Sequence, residues 1–410
     1  MDNFLQGLFA GRIGGSRFGL DTKIYKFEKI KRAKAAAKAA HPELPLIDMG
    51  VGEPDVGASP AVVERLYREA GKPENRFYAD NGCAEFKAAA AEYMRKLYGV
   101  EVDPLTQINH TIGSKSALAL LPAAFINPGD VTLLTVPGYP VLGTWTAYMG
   151  GRTVALPLEK ERGFLPDLDK VSAADRRDAK LLYLNYPNNP TGAVATEEFY
   201  DRAIAFALEN HLLIVSDAAY APLNYRGRPL SILSRPRAME CAVELHSMSK
   251  GFNMTGWRLG WICGNAAAVK AFATVKDNAD SGQFLGIQKA AVSALEQCGT
   301  ITPQTCGKYL RRLSALADTL RSLGFDAAVP GGSFYLYVGI PKAVEGGPVF
   351  PDAESFSQWM IAEKLISTVP WDDCGHFVRF SATFSARDLE EEAAVLNEVR
   401  NRLADSRFVF

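Results

Sequence analysis

Ser247-Met248-Ser249-Lys250-Gly251-Phe252 follows directly on the apolar run Ala242–Leu245, and Gly256-Trp257-Arg258-Leu259-Gly260 comes just after it. A lysine at the end of a buried strand needs a use for its amine. A Schiff base with an aldehyde cofactor provides one, because the amine then acts as a nucleophile and later carries a proton. Ser247, Ser249 and Arg258 supply donors for a phosphate, the arginine through a planar fork that suits phosphate oxygens. Taken alone, the string reads equally well as a solvated loop.

Two other segments sit at the ends of apolar runs. Asn185-Tyr186-Pro187-Asn188-Asn189-Pro190-Thr191-Gly192 follows Leu181–Leu184, and Asp217-Ala218-Ala219-Tyr220 follows Leu212–Val215. In an α/β sheet ligands gather at the carboxyl ends of strands, so the three segments are expected in one crevice. A carboxylate facing a pyridine nitrogen keeps it protonated and makes the ring an electron sink; Asp217 is the candidate. Asn189 and Tyr220 can hydrogen-bond an oxygen on such a ring. Separately, the Asn-Pro segment reads as a turn and Asp217 as a helix cap. Jointly they read as a site.

These residues must be positioned by elements the sequence also signals. Val131–Val136, Thr153–Leu158, Leu181–Leu184, Leu212–Val215 and Ala242–Leu245 are continuous apolar runs separated by helical stretches. That pattern predicts strands covered on both faces, hence an α/β fold with a mainly parallel sheet. Residues 1–51 read as an arm and a helix over Phe27–Ala40 contributing to a small domain, 52–297 as the large domain, and 298–410 as the small α+β domain. The last is expected to hold a helix around Tyr309–Leu323, strands Phe334–Val338 and Phe377–Ser381, and a closing helix Asp388–Leu403.

Composition narrows the function classes. The 410 residues carry 45 Lys and Arg against 46 Asp and Glu, a formal charge of −1, so no global field recommends nucleic acid or an anionic membrane. Cys83, Cys241, Cys263, Cys298, Cys306 and Cys374 are scattered without metal-ligand spacing, which argues against zinc and a disulfide framework and suits a reducing cytoplasm. Asp2 and the glycines Gly7, Gly11, Gly14 and Gly15 do not make a signal peptide, and Ala117–Ile126 is too short to span a bilayer.

In order and spacing, Asn188–Gly192, Asp217–Tyr220 and Ser247–Gly260 resemble the fold type I, aspartate-aminotransferase-like enzymes that use pyridoxal 5′-phosphate, and the likeness runs from about Gly50 onward. The resemblance implies a three-layer α/β/α large domain, a small α+β domain, and a homodimer with shared active sites. It makes Lys250, Asp217 and Tyr220 catalytic and amino and oxo acids the substrates. It also implies that Gly113, Ser114 and Lys115, ahead of an apolar helix beginning near Ala117, meet the phosphate; the local alternative is a helix cap by Ser114. Tyr139 matches the aromatic that stacks on the cofactor, and Gly52 the glycine whose backbone nears the substrate carboxylate. Arg379, in an otherwise apolar strand, matches the carboxylate clamp, and such an arginine needs an anion in any case. One departure concerns the tyrosine a neighbouring subunit sends to the phosphate: counting back from Gly82 lands on Phe77, with Tyr78 adjacent.

Arg12–Gly15, Ile24–Arg32 and Arg76–Gly82 resemble the LL-diaminopimelate aminotransferase branch. There Asp80 and Asn81 match an acidic-amide pair expected from the partner subunit, Lys115 meets a distal carboxylate, and Ser281 and Gln283 are further candidates at that interface. The other readings are an aminotransferase for aspartate, alanine or aromatic amino acids, and a lyase acting at Cβ with the same cofactor. A cofactor-sensing regulator ranks last, since the segment before Gly52 holds no basic helix-turn-helix pattern.

Overall fold

The computed structural model describes residues 4–20 and 26–410; the expectations resting on Asp2, Ile24 and Tyr25 lie outside the described residues. The large sheet has seven strands: β1 (Ile108–Thr111), β2 (Val131–Val136), β3 (Arg152–Pro157), β4 (Ala179–Asn185), β5 (Leu213–Asp217), β6 (Ala242–Ser247) and β7 (Gly260–Gly264). Their order is β1-β7-β6-β5-β4-β2-β3. Strands β3, β2, β4, β5 and β6 pair in parallel, while β7 runs antiparallel to both β6 and β1.

Side-chain alternation along these strands builds the three layers. Leu182, Leu184, Ile214, Ala242, Trp261 and Cys263 join the core on one face with Tyr93 and Phe252. Their strand neighbours Leu181, Tyr183, Val215, Val243, Leu245 and Ile262 join the core on the other, with Leu118, Leu121 and Phe272. Both faces are covered, which is why the runs read as continuous apolar segments.

Strands β1 and β7 were not anticipated. Ile108-Asn109-His110-Thr111 is polar yet wholly buried, and Gly260-Trp261-Ile262-Cys263-Gly264 begins and ends on glycine. Sheet pairing, not composition, makes them strands. The helix expected near Ala117 starts instead at Gly113, running Gly113–Phe125. Its first turn needs no intrahelical N–H partner, so Gly113, Ser114 and Lys115 fit there without the apolar pattern that reveals the rest.

A second region holds the antiparallel strands β8 (Tyr335–Gly339), β9 (Val369–Trp371) and β10 (Phe377–Ser381), in order β9-β10-β8. Helices Cys298–Ser322 and Leu389–Leu403 pack on it through Leu313, Leu316, Leu320, Leu396 and Val399. The first helix begins at Cys298, well before Tyr309: burial of Ile301, Thr302 and Thr305 outweighs the breaker Pro303. Ile30 and Ala37 of the helix Lys26–Ala40 pack with Ile361, Val369 and Trp371. Ile47–Asp48 pairs in parallel with Ile366–Ser367, so the N-terminal segment returns to the C-terminal one.

Candidate active site

A cavity of about 720 Å³ opens where the carboxyl ends of β4, β5 and β6 meet the second region. Lys250, Asp217, Asn189, Tyr220, Ser247, Ser249, Arg258, Ser114, Lys115, Tyr139, Gly52 and Arg379 all line it. Seven segments that are remote in sequence thus converge, as ligand-binding crevices at the strand ends of an α/β sheet do.

Asp217 ends β5 and is almost wholly buried. Burial pushes its carboxyl up to about 6, against the pull of the Ala219 N–H, the Tyr183 hydroxyl and His246. Ala219 N–H donates to Oδ1 at 3.1 Å and Tyr183 to Oδ2 at 3.0 Å. No cation pairs with this carboxylate among the described residues, so it is suited to a cationic N–H.

Lys250 follows β6 by a short turn and extends its amine over the cavity, donating to the Gly52 carbonyl at 2.6 Å. Burial lowers its amine to about 8; Glu53 works against this, and Arg258 and Arg379 add to it. A nearly neutral pKa keeps part of the amine unprotonated and nucleophilic.

Arg379, on β10, is buried with no carboxylate partner among the described residues. Its Nη1 donates to Asn189 Oδ1 at 2.8 Å and its Nη2 to Gly50 O at 3.1 Å, while Nε has no acceptor. The guanidinium lies 4.0 Å from the Tyr335 ring centroid. A buried cation with neutral partners and a spare donor is poised to receive an anion.

On the opposite wall, Arg258 adopts a left-handed backbone (φ 56°) and donates from Nη1 to Thr255 O at 2.7 Å. Gly113 does not line the cavity itself. It has φ +69°, and a side chain there would strike the Arg258 guanidinium, so glycine is what lets this arginine lie across the helix start. Ser114 and Lys115, in the first turn, add unpaired backbone N–H groups to the same corner. Ser249 N–H donates to Ser247 Oγ at 3.1 Å, and both serines line the cavity.

Tyr335 is a site residue the sequence reading missed. Its hydroxyl shares a 3.0 Å hydrogen bond with that of Tyr220, and a side chain at Gly52 would run into it. It stands two residues after Ser333, at the start of an ordinary apolar strand, and carries no motif. Asn185 was quoted only as part of its segment. Its Nδ2 donates to Asp217 O at 2.8 Å and its Oδ1 accepts from Asn189 N–H at 2.9 Å, tying β4 to β5.

Tyr78, Asp80, Asn81, Ser281 and Gln283 lie outside the crevice of their own chain, as they must if they serve a neighbouring subunit. Phe77 is 58% exposed and Tyr78 83%. Asn81 donates to Asp277 and accepts from Asn109, both at 2.7 Å. Ala79 and Asp80 N–H both donate to Ser281 O, so the two surface segments form one patch. Gln283 donates to Arg258 O at 2.9 Å, connecting that patch to the cavity wall.

The family model for aminotransferases of class I and II matches residues 45–396. The chain is 55% identical to the LL-diaminopimelate aminotransferase of Methanococcus maripaludis, with 100% of each chain covered, and 54% identical to that of Methanocaldococcus jannaschii, with 98% of each covered. Among solved structures, substrate-bound BacF from Bacillus subtilis superposes with a TM-score of 0.87 at 28% identity, covering 98% of each chain. A Thermus thermophilus aspartate aminotransferase mutant gives 0.83 at 27% identity, covering 96% of this chain and 99% of that one.

Proposed function

The chain belongs to the class I and II aminotransferases, and from that premise we propose that it is an LL-diaminopimelate aminotransferase using pyridoxal 5′-phosphate. The reaction makes LL-diaminopimelate and 2-oxoglutarate from tetrahydrodipicolinate, glutamate and water, the water opening the cyclic imine to the oxo acid that accepts the amino group, for lysine and peptidoglycan precursors. The full-length identity of 55% to a relative of that name carries the substrate reading. The fold alone does not select it, since similar structures include an aspartate aminotransferase.

The donor set fits the cofactor. Asp217 is a buried carboxylate lacking a cation, Lys250 an amine with a lowered pKa, and the corner of Ser114, Ser247, Ser249 and Arg258 a collection of phosphate donors. When bound, pyridoxal phosphate supplies an aldehyde for amine capture and a protonated ring that draws negative charge from the substrate α-carbon. Asp217 would hold the proton at the ring nitrogen. Tyr220 and Asn189 would hydrogen-bond the ring oxygen, and Tyr139 would cover the ring face. Arg379 binds the substrate α-carboxylate, which orients the Cα–H bond toward Lys250. Lys250 Nζ then removes that proton as a base and redelivers it within the same crevice.

We further propose a homodimer acting in the cytoplasm. The apolar side chains of Phe77, Tyr78 and Phe284 are exposed on the patch joining residues 77–82 and 281–284, which supports burial against a second copy. There Tyr78 or Phe77 would approach the neighbour's phosphate corner, and Asp80 and Asn81 its substrate. Among the described residues no helix is long and apolar enough to cross a membrane.

The test supplies the purified protein with pyridoxal phosphate, 2-oxoglutarate and a panel of donors. Glutamate formed from LL-diaminopimelate but not from the meso isomer is expected. Robust turnover of aspartate without LL-diaminopimelate would overturn the assignment, and pyruvate with ammonia as products would indicate a lyase.

A further inference from the structure

Tyr183 sits in the middle of β4, wholly buried, on the face of the sheet where Leu118, Leu121, Val215, Leu245 and Ile262 make an apolar layer. A hydroxyl in such a layer costs free energy unless it finds an acceptor. Its acceptor is Asp217 Oδ2 at 3.0 Å. Strand register makes the contact: Tyr183 pairs with Val215 across β4 and β5, and Asp217 is the next residue of β5 on the same face, a diagonal that a tyrosine spans. Asp217 lines the cavity and Tyr183 does not, so the hydroxyl reaches the site through the carboxylate.

The other neighbours of Asp217 do not share this task. Ala219 N–H donates to Oδ1 at 3.1 Å, so each carboxylate oxygen has a donor of its own and the group is held from both ends. Asn185 reaches the Asp217 carbonyl and not its carboxylate. His246 acts on the carboxylate only through space: its Nε2 meets Glu244 Oε1 at 2.8 Å, and its ring stacks on Trp261, whose side chain belongs to the core on the opposite face. Burial and the charge of Asp217 push the Tyr183 hydroxyl well above the ordinary phenol range, so it keeps its proton and remains a donor.

We propose that Tyr183 is a positioning residue whose hydroxyl, acting through Asp217, keeps the proton of the bound cofactor's pyridine ring on the ring nitrogen. This rests on the pyridoxal-phosphate reading and adds what decides between the two places that proton can sit. A buried carboxylate facing a pyridine shares one proton with it, held either by the nitrogen, which leaves an ion pair, or by the carboxylate, which leaves two neutral groups. Removal from water favours the neutral arrangement, and donors to the carboxylate favour the ion pair. The protonated ring is the better electron sink. A phenol oxygen outside the cavity therefore bears on the rate without touching cofactor or substrate.

The experiment loads the protein with pyridoxal phosphate isotope-labelled at its ring nitrogen and reads that nitrogen by NMR, the free labelled cofactor in acid and in base giving the protonated and unprotonated limits. The wild type is expected at the protonated limit. Tyr183→Phe keeps the aromatic ring in its apolar layer and removes only the oxygen. In that variant the proton should move about tenfold or more toward Asp217, carrying the resonance toward the unprotonated limit, with kcat lower by about tenfold or more and KM for the amino donor within about twofold. An unmoved resonance in Tyr183→Phe overturns the assignment even if kcat falls, because packing alone then accounts for the residue, and an unprotonated ring in the wild type overturns it as well; the proposed function stands in both cases. If the wild type retains no labelled cofactor, the proposed function falls and the assignment with it.

Discussion

Arg312 and Arg379 are both buried, at 0% and 4% exposure, yet their surroundings are opposites. Arg312 lies between Glu392 at 2.9 Å and Asp55 at 3.1 Å, and its remaining donors reach the carbonyls of Ala382 and Phe384. Arg379 has only the Asn189 amide oxygen and the Gly50 carbonyl, with Nε left over. The first arginine is neutralised by the protein and holds the second region together. The second is desolvated without neutralisation, a cost to folding that the substrate carboxylate of the proposed function would offset on binding. Burial alone does not mark a functional arginine; the absence of an internal counter-charge does.

The comparison makes opposite predictions for the two residues. Arg379→Met should lower kcat/KM by about 10³–10⁴-fold, the worth of two charge-assisted hydrogen bonds to a carboxylate, with no loss of unfolding free energy in urea. Arg312→Met leaves Asp55 and Glu392 short of a partner and should cost about 3–4 kcal/mol in the same urea titration. Loss of stability in the first variant, or none in the second, would break the distinction.

Two smaller effects extend the argument to the other groups lacking counter-charges. Asp217 titrates at about 6 in the folded protein, above its ordinary value of 3.8, so the folded state binds the extra proton. Stability of the cofactor-free protein should therefore fall as pH rises from about 4 through 6. Asp217→Asn should remove that slope and stabilise the cofactor-free form by up to about 3 kcal/mol at pH 7 while abolishing turnover. Lys250 has the reverse sign. Its amine is lowered to about 8 from 10.5, so the unfolded state holds the proton between those values and stability should rise with pH across that window. In Lys250→Met the rise should be smaller by about 3 kcal/mol.

Much of the crevice lining was legible because its residues sit at strand ends and strand ends are visible as breaks in apolar runs. Lys250, Asp217 and Asn189 each follow such a run, and Arg379 interrupts one. The five parallel strands were legible for the same reason. What escaped depends on tertiary pairing. The polar strand Ile108–Thr111 and the glycine-bounded Gly260–Gly264 owe their conformation to neighbours, and the start of the helix at Cys298 is masked by Pro303. Tyr335 meets Tyr220 only because β8 and the end of β5 are brought together by folding.

The proposed function requires Lys250 to be the amine that takes the cofactor, in a crevice that also holds Lys115, Lys31 and Lys34. Borohydride reduction of the pyridoxal-phosphate-loaded protein, followed by proteolysis and peptide mass mapping, tests this directly. The cofactor mass is expected on the peptide bearing Lys250 and nowhere else, with none retained in Lys250→Ala. Stoichiometric labelling of Lys115, Lys31 or any other lysine, with Lys250 unmodified, would contradict it.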